Sequence, residues 1–422
     1  MNIGLITFHF VHNQGGVLQC YALKTILEKM GHHVQIIDYQ PRYHTVRYAR
    51  FKNPFIYTRW FWKQNENKPM KSRFYWTIRA FLRCLYLNSV NLKTDDSICF
   101  TSFVEENFEL TAKYRSYDAL KKHCPKEDAY ISGSDQLWNP ELLDHRFDEA
   151  YFLKFAPANA IKIAYAVSMG RLPDNIRLEE LQALCNDLSA ISLREYDETV
   201  INAIGRDVHI CIDPTLLLTA SDYAEVESKS VESEPYIFVY GFETNQEIQS
   251  AVDLAVSVCG CKVINGSPHR IRLECNATKV DNYGPGQFLS YVKNAQCVVT
   301  NSFHGTAFSI VYNKRFITVP HSTRGSRMTE LLEKLGLNTC LWGHSSFSFN
   351  DVPNYAEVER KLILLKDDSL KYLISALSSN SSEVGSVKEN SLNTHTHARE
   401  RGSMKRVILK RFWVIISKKK NC

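Results

Sequence analysis

The segment Thr300-Asn301-Ser302-Phe303-His304-Gly305-Thr306 sets one histidine between two apolar runs, Cys297–Val299 and Ala307–Val311. An imidazole gives and takes protons near neutral pH, which makes His304 a candidate general acid or base. Gly305 and Thr306 would open the next helix, where backbone N–H groups favour a phosphate. The plainer reading is a polar turn between a strand and a helix. Arg194, in Ile191-Ser192-Leu193-Arg194-Glu195, directly follows an apolar run. A guanidinium there cannot shed its charge and needs an anion, either a ligand or a neighbour such as Glu195 or Asp197.

Other polar residues share this placement. Asp135, Trp138 and Asn139 lie together in ISGSDQLWN. A carboxylate, an amide and an aromatic face suit a sugar, whose hydroxyls want acceptors and whose C–H face wants a ring. The alternative is an Asp-centred turn with Trp138 in the core. Ser168 and Gly170 follow IKIAYAV, and Gly15 and Gly16 follow the first strand in HNQGGVLQCYAL. Paired glycines let backbone amides approach a ligand, but the pattern is not GxGxxG, which counts against a standard dinucleotide site. Arg324 and Arg327, in HSTRGSRMTEL, are further candidate anion-binding groups.

The elements that must position these residues alternate short apolar runs with amphipathic helical stretches, the pattern of an α/β protein with parallel sheets. IGLITF, VQIID, AYISG, IKIAYAV, AISL and VHICID read as strands of a first half. YIFVYGF, CKVIN, CVVT and RFITVP read as strands of a second. The expectation is two Rossmann-like domains, 1–220 and 221–377, facing each other across a cleft. Ligands in such sheets bind beyond the strands' carboxyl ends, where the candidate residues fall. Residues 378–398 are poor in apolar side chains and read as a disordered linker, with a basic amphipathic tail at 399–422.

Composition bounds the class. Of 422 residues, 44% are hydrophobic and 23% charged, as in a soluble globular protein. The amino terminus reads as a strand, not a signal sequence, and no apolar run is long enough to span a bilayer, so a cytoplasmic location is expected. The twelve cysteines form no CxxC pair, so no zinc or iron–sulfur site is signalled. The net charge of +6 is unevenly spread: +11 in 40–93, +8 in 399–422, −13 in 94–398. Both basic segments interleave tryptophans with lysine and arginine. That composition suits an anionic membrane surface, contacted through 43–86 and 399–422, better than nucleic acid, for which no binding motif is present.

In order along the chain, GSDQLWN, YAVSMG, SLREYD, DPTLLL and NSFHGTAFSIVYNKRF resemble the polysaccharide pyruvyl transferase family. The resemblance runs from about residue 4 to 340 and implies a glycosyltransferase-B-like pair of domains. It also implies transfer of a pyruvyl group from phosphoenolpyruvate to a sugar of a surface polysaccharide, or its lipid-linked precursor, as a cyclic ketal. His304 and Arg194 match the family's positions for acid/base chemistry and for gripping the anionic donor. Some members carry arginine where this chain has Ser302, so Arg324 and Arg327 are candidate substitutes. No cofactor beyond the donor substrate phosphoenolpyruvate is expected, and no metal. Two other readings stay open: a nucleotide-sugar glycosyltransferase of the same architecture, and a non-catalytic sugar-binding or assembly subunit.

Overall fold

The computed structural model describes residues 1–44, 53–66, 68–91, 96–170, 178–230, 232–268, 271–322 and 325–378. Residues 1–379 form one compact unit that contains two wholly parallel sheets. The first comprises β1 (Asn2–Ile6), β2 (His33–Ile36), β3 (Ala129–Asp135), β4 (Ile161–Val167), β5 (Ala190–Leu193) and β6 (His209–Ile210), in the order β2-β1-β3-β4-β5-β6. The second comprises β7 (Tyr236–Tyr240), β8 (Lys262–Asn265), β9 (Ala277–Lys279), β10 (Cys297–Thr300) and β11 (Phe316–Thr318), in the order β11-β10-β7-β8-β9.

Strands covered on both faces lose the polar alternation of half-exposed ones. This is why β4, IKIAYAV, and β7, YIFVY, are buried along their whole length. Each sheet reverses its winding once. The switch lies between β1 and β3 in the first sheet and between β7 and β10 in the second. Crevices at such points, beyond the carboxyl ends, are where α/β sheets hold ligands.

The helix Gln14–Lys29 starts at the first switch point. Asn13 caps it by accepting from Gly16 N at 3.1 Å. Buried Gln19 then ties the two strand ends together. It donates to Thr7 Oγ1 (2.7 Å) and Gly16 O (2.9 Å) and accepts from Ser134 N (2.9 Å). The helix Phe303–Val311 starts at the second switch point, capped by Ser302.

The two halves share one core. A single apolar cluster runs from Leu5 and Val17 through Tyr223 to Phe238 and Phe308. The last described helix, Tyr355–Ser378, returns to the first sheet, where the Tyr372 hydroxyl donates to Ala164 O (2.9 Å) and Ser369 Oγ accepts from Ile212 N (3.1 Å).

Two features depart from the sequence reading, and a third adds to it. VHICID pairs only through His209–Ile210, because Asp213 turns out of the strand to cap the short helix Pro214–Leu216. Strand β9 is polar and partly exposed at the sheet edge, so it carries no apolar run to betray it. The basic insertion folds as two helices, Pro54–Gln64 and Met70–Asn91, packed against each other.

Candidate functional site

The two switch points meet. His304, in the first turn after β10, lies directly on Gly15, in the first turn after β1. A Cβ at residue 15 would sit 2.0 Å from His304 Nδ1 and 2.2 Å from Cγ. Only glycine lets the ring seat there. The imidazole is nearly buried, and its Nε2 has no hydrogen-bond partner.

Nε2 faces Asp213 Oδ2 across 3.7 Å, too long for a direct hydrogen bond. Asp213 is fully buried and anchored on its other side. Its Oδ1 accepts from Thr215 N (3.0 Å) and Thr215 Oγ1 (2.7 Å), and its Oδ2 accepts from Arg194 Nη1 at 2.6 Å. Burial alone would raise the Asp213 carboxyl. The facing His304 imidazole, the Arg194 guanidinium and the Thr215 hydroxyl outweigh burial and hold it well below the usual carboxylate range. Asp213 is therefore a fixed negative charge behind the histidine, suited to orient the ring and to stabilise an imidazolium.

Arg194 is buried among three carboxylates. Besides Asp213, Glu195 Oε2 and Asp135 Oδ1 each lie 3.6 Å away, from Nε and Nη2 respectively. Burial would depress its pKa, but these carboxylates hold it above the ordinary arginine value. The face of its guanidinium rests 4.8 Å from the Phe303 ring centroid. Nε and Nη2 remain buried without hydrogen-bond partners, as does Glu195 Oε2. Buried polar atoms are normally hydrogen-bonded, whereas here Nε only faces Glu195 Oε2 and Nη2 only faces Asp135 Oδ1 at ion-pair distance.

Asp135 ends β3 with φ 79°, a left-handed conformation that non-glycine residues rarely adopt and that functional positions often hold. Beside it, Ser168 Oγ donates to Glu195 Oε1 and accepts from Gly170 N at 3.1 Å. Gly170 has φ 64°, and a Cβ there would meet Asn139 Nδ2 at 2.4 Å. Ser168 and Gly170 thus set the position of Glu195.

Among the residues expected at the site, the structure brings Gly15, Asp135, Ser168, Arg194 and His304 together. Trp138 and Asn139 lie behind them. Trp138 is fully buried, stacks on Phe152 (centroids 4.5 Å apart) and donates to Tyr151 O (3.1 Å), so it presents no face to a sugar. Its large apolar surface is worth more in the core than in a polar cleft. Asn139 is also buried; it caps Pro140–Leu142 and donates to Gln136 Oε1. Gly16 lies 3.7 Å, measured from its would-be Cβ, from Asp135 Oδ2. Ser302 spends its hydroxyl on Gly305 N, and Thr306 pairs with Thr318 inside the fold. Arg327 lines a small cavity with Arg194, Glu195, Asp213, Phe303 and Lys334. Arg324 lies outside the described residues.

Sequence reasoning missed Asp213, the residue that links Arg194 to His304. Its signal was present in Asp213-Pro214-Thr215, at the end of VHICID and the head of DPTLLL, but that position alone does not show what Asp213 faces. It named Glu195 only as one possible partner of Arg194, with Asp197 as the other. Asp197 instead caps the helix Glu198–Ile204.

Two parallel α/β sheets whose switch points meet at His304 and Gly15 give the pair of Rossmann-like units expected from the sequence. A family profile for polysaccharide pyruvyl transferase matches residues 13–323, and the chain belongs to that family of transferases. No curated protein matches the chain. Solved structures similar to it include an α-glucosyltransferase in complex with UDP and a DNA 13-mer (10% identity, 88% of this chain and 95% of that one, TM-score 0.45). UDP-N-acetylglucosamine 2-epimerases from Rickettsia bellii (10% identity, 90% and 97%, TM-score 0.40) and Methanocaldococcus jannaschii (12% identity, 87% and 100%, TM-score 0.40) are also similar.

Proposed function

We propose that the protein transfers the enolpyruvyl group of phosphoenolpyruvate to a sugar of a surface polysaccharide or its lipid-linked precursor, forming a cyclic ketal. The observation that carries the reading is the Arg194–Asp213–His304 line, closed over Gly15 at the meeting of the two switch points. In the reaction C3 of the donor takes a proton, and C2 becomes cationic and bonds to a sugar hydroxyl oxygen, which loses its proton. The C2–O bond to phosphate then breaks, and a second sugar hydroxyl closes the ring, losing its proton in turn.

His304 delivers and collects protons, with Asp213 holding the imidazolium. Glu195, whose Oε2 faces Arg194 but makes no hydrogen bond, is the natural acceptor of a hydroxyl proton or hydrogen bond. Three carboxylates around one arginine make a poor anion grip, so Arg194 chiefly orients Asp213 and offers its spare N–H groups to the donor carboxylate. The phosphate is left to Arg327 and Lys334, which line the same cavity, and to the amino end of the Phe303–Val311 helix.

The test is phosphate release from phosphoenolpyruvate with a lipid-linked sugar acceptor, compared between the parent protein and His304→Ala. Acceptor-dependent release lost in the variant supports the reading. Nucleotide release from a nucleotide-sugar, with none from phosphoenolpyruvate, makes the protein a glycosyltransferase instead.

A further inference from the structure

Soluble proteins rarely leave a continuous apolar patch open to water. Among the described residues, ten of the seventeen exposed large apolar side chains fall between Phe55 and Tyr86, on the helices Pro54–Gln64 and Met70–Asn91 within the connection from β2 to β3. Phe55 is 78% exposed, Met70 68% and Phe74 61%.

Their arrangement is ordered. In the Met70–Asn91 helix, Ala80 and Cys84 are buried and face inward. At about 100° per residue, Met70, Phe74, Ile78, Leu82 and Leu85 fall on one outward arc. The same arithmetic puts Lys71 within the arc and Arg79 beyond its edge by about 60°. Phe55, at the start of the partner helix, extends the patch through its ring contact with Phe81 (6.2 Å). Arg73 stacks over Trp62 (4.1 Å) and Arg79 over Trp76 (5.3 Å), so the cations lie against aromatic faces and not in ion pairs. Residues 53–91 hold seven Lys/Arg and one acid, Glu66, and three of the chain's six tryptophans.

We infer that this helical hairpin is a membrane-docking element that lies in the interface of an anionic lipid surface. An apolar arc accompanied by Arg and Lys, with Trp and Tyr at the boundary, is the composition of interfacial helices. The +6 charge complements anionic headgroups and opposes stacking of the same face on a second copy. No described helix is long and apolar enough to cross a membrane, so the hairpin lies on the surface. Lys63, at the end of the first helix, reaches Asp144 (3.9 Å) in the loop that follows β3. The contact ties the hairpin to the connection that leaves the carboxyl end of β3, and for a lipid-linked acceptor docking there would hold the protein near the substrate's lipid anchor.

The experiment is vesicle flotation of the full chain with phosphatidylglycerol-rich and pure phosphatidylcholine vesicles, at low and high salt. Binding is expected only to the anionic vesicles and weakens with salt. Ile78→Glu/Leu82→Glu and Lys71→Glu/Arg79→Glu alter exposed side chains only. Each is expected to lower the bound fraction about tenfold, with unchanged thermal unfolding and unchanged turnover of a soluble acceptor. Flotation unaffected by either pair assigns lipid binding to residues 399–422 and overturns the inference. So does a dimer that Ile78→Glu/Leu82→Glu dissociates, or salt-sensitive RNA binding in place of lipid binding. Flotation, dimer dissociation and RNA binding do not depend on the reaction catalysed.

Discussion

Replacing Gly15 with alanine isolates the contact on which the site depends. The helix tolerates the change: the backbone at Gly15 is helical, and alanine favours a helix over glycine by up to about 1 kcal/mol. The new methyl would lie 2.0 Å from Nδ1, 2.2 Å from Cγ and 2.6 Å from Cε1 of His304. Ordinary contact between such atoms needs about 3.5 Å, so the ring must withdraw by about 1.5 Å. Withdrawal swings Nε2 away from Asp213 and moves the working nitrogen off its reacting partner. A displacement of about 1 Å can cost a hundredfold in rate. Turnover of Gly15→Ala is therefore expected to fall about a hundredfold or more, read as acceptor-dependent phosphate release, while the urea midpoint changes little. Gly16→Ala is the control: its methyl meets the movable Val11 side chain at 2.9 Å and not the imidazole, so the loss should be much smaller. Near-normal turnover in Gly15→Ala would refute the reasoning, because a ring that can move that far without cost is not the proton-transfer group.

Three further outcomes follow from the same geometry. Arg194→Met leaves Asp213 a buried charge without its partner, so urea unfolding should show a loss of about 3 to 5 kcal/mol. Ser168→Ala releases Glu195 Oε1 and Gly170 N. Its stability cost should be about 1 kcal/mol, with a larger proportional loss in kcat than in KM, because Glu195 acts on the reacting hydroxyl. The Asp213 carboxyl is held well below its ordinary value of 3.8. As pH falls below that value, the unfolded chain takes up a proton that the folded chain refuses, so stability conferred at neutral pH drains away in acid. Asp213→Asn, measured by urea midpoints against pH, should be less stable at neutral pH and should lose less stability below about pH 4.

Most strands and the two-sheet plan were legible in the sequence because buried parallel strands are nearly continuous apolar runs. IKIAYAV and CVVT coincide with β4 and β10. The candidate residues that proved to lie together, Asp135, Ser168, Arg194 and His304, were legible through one rule: a polar residue directly after such a run stands at a strand's carboxyl end. That rule says nothing of what faces each residue across the fold. The Gly15–His304 contact joins positions 289 residues apart, and no local pattern encodes it. Asp213 was hidden because the groups it faces, Arg194 and His304, are distant in sequence. Trp138 misled because an aromatic near a carboxylate fits a sugar site and a core equally well, and only burial separates the two. The exposed hairpin was visible as a basic, aromatic segment, but which of its rings face water required the helices themselves.

The most direct test of the account is the product analysis of one reaction: the protein, phosphoenolpyruvate and a lipid-linked sugar acceptor, with mass spectrometry of the acceptor. The account predicts an acceptor heavier by one pyruvyl ketal, formed together with inorganic phosphate by the parent protein and absent with His304→Ala. An unmodified acceptor with the parent protein, or equal modification by His304→Ala, would contradict it.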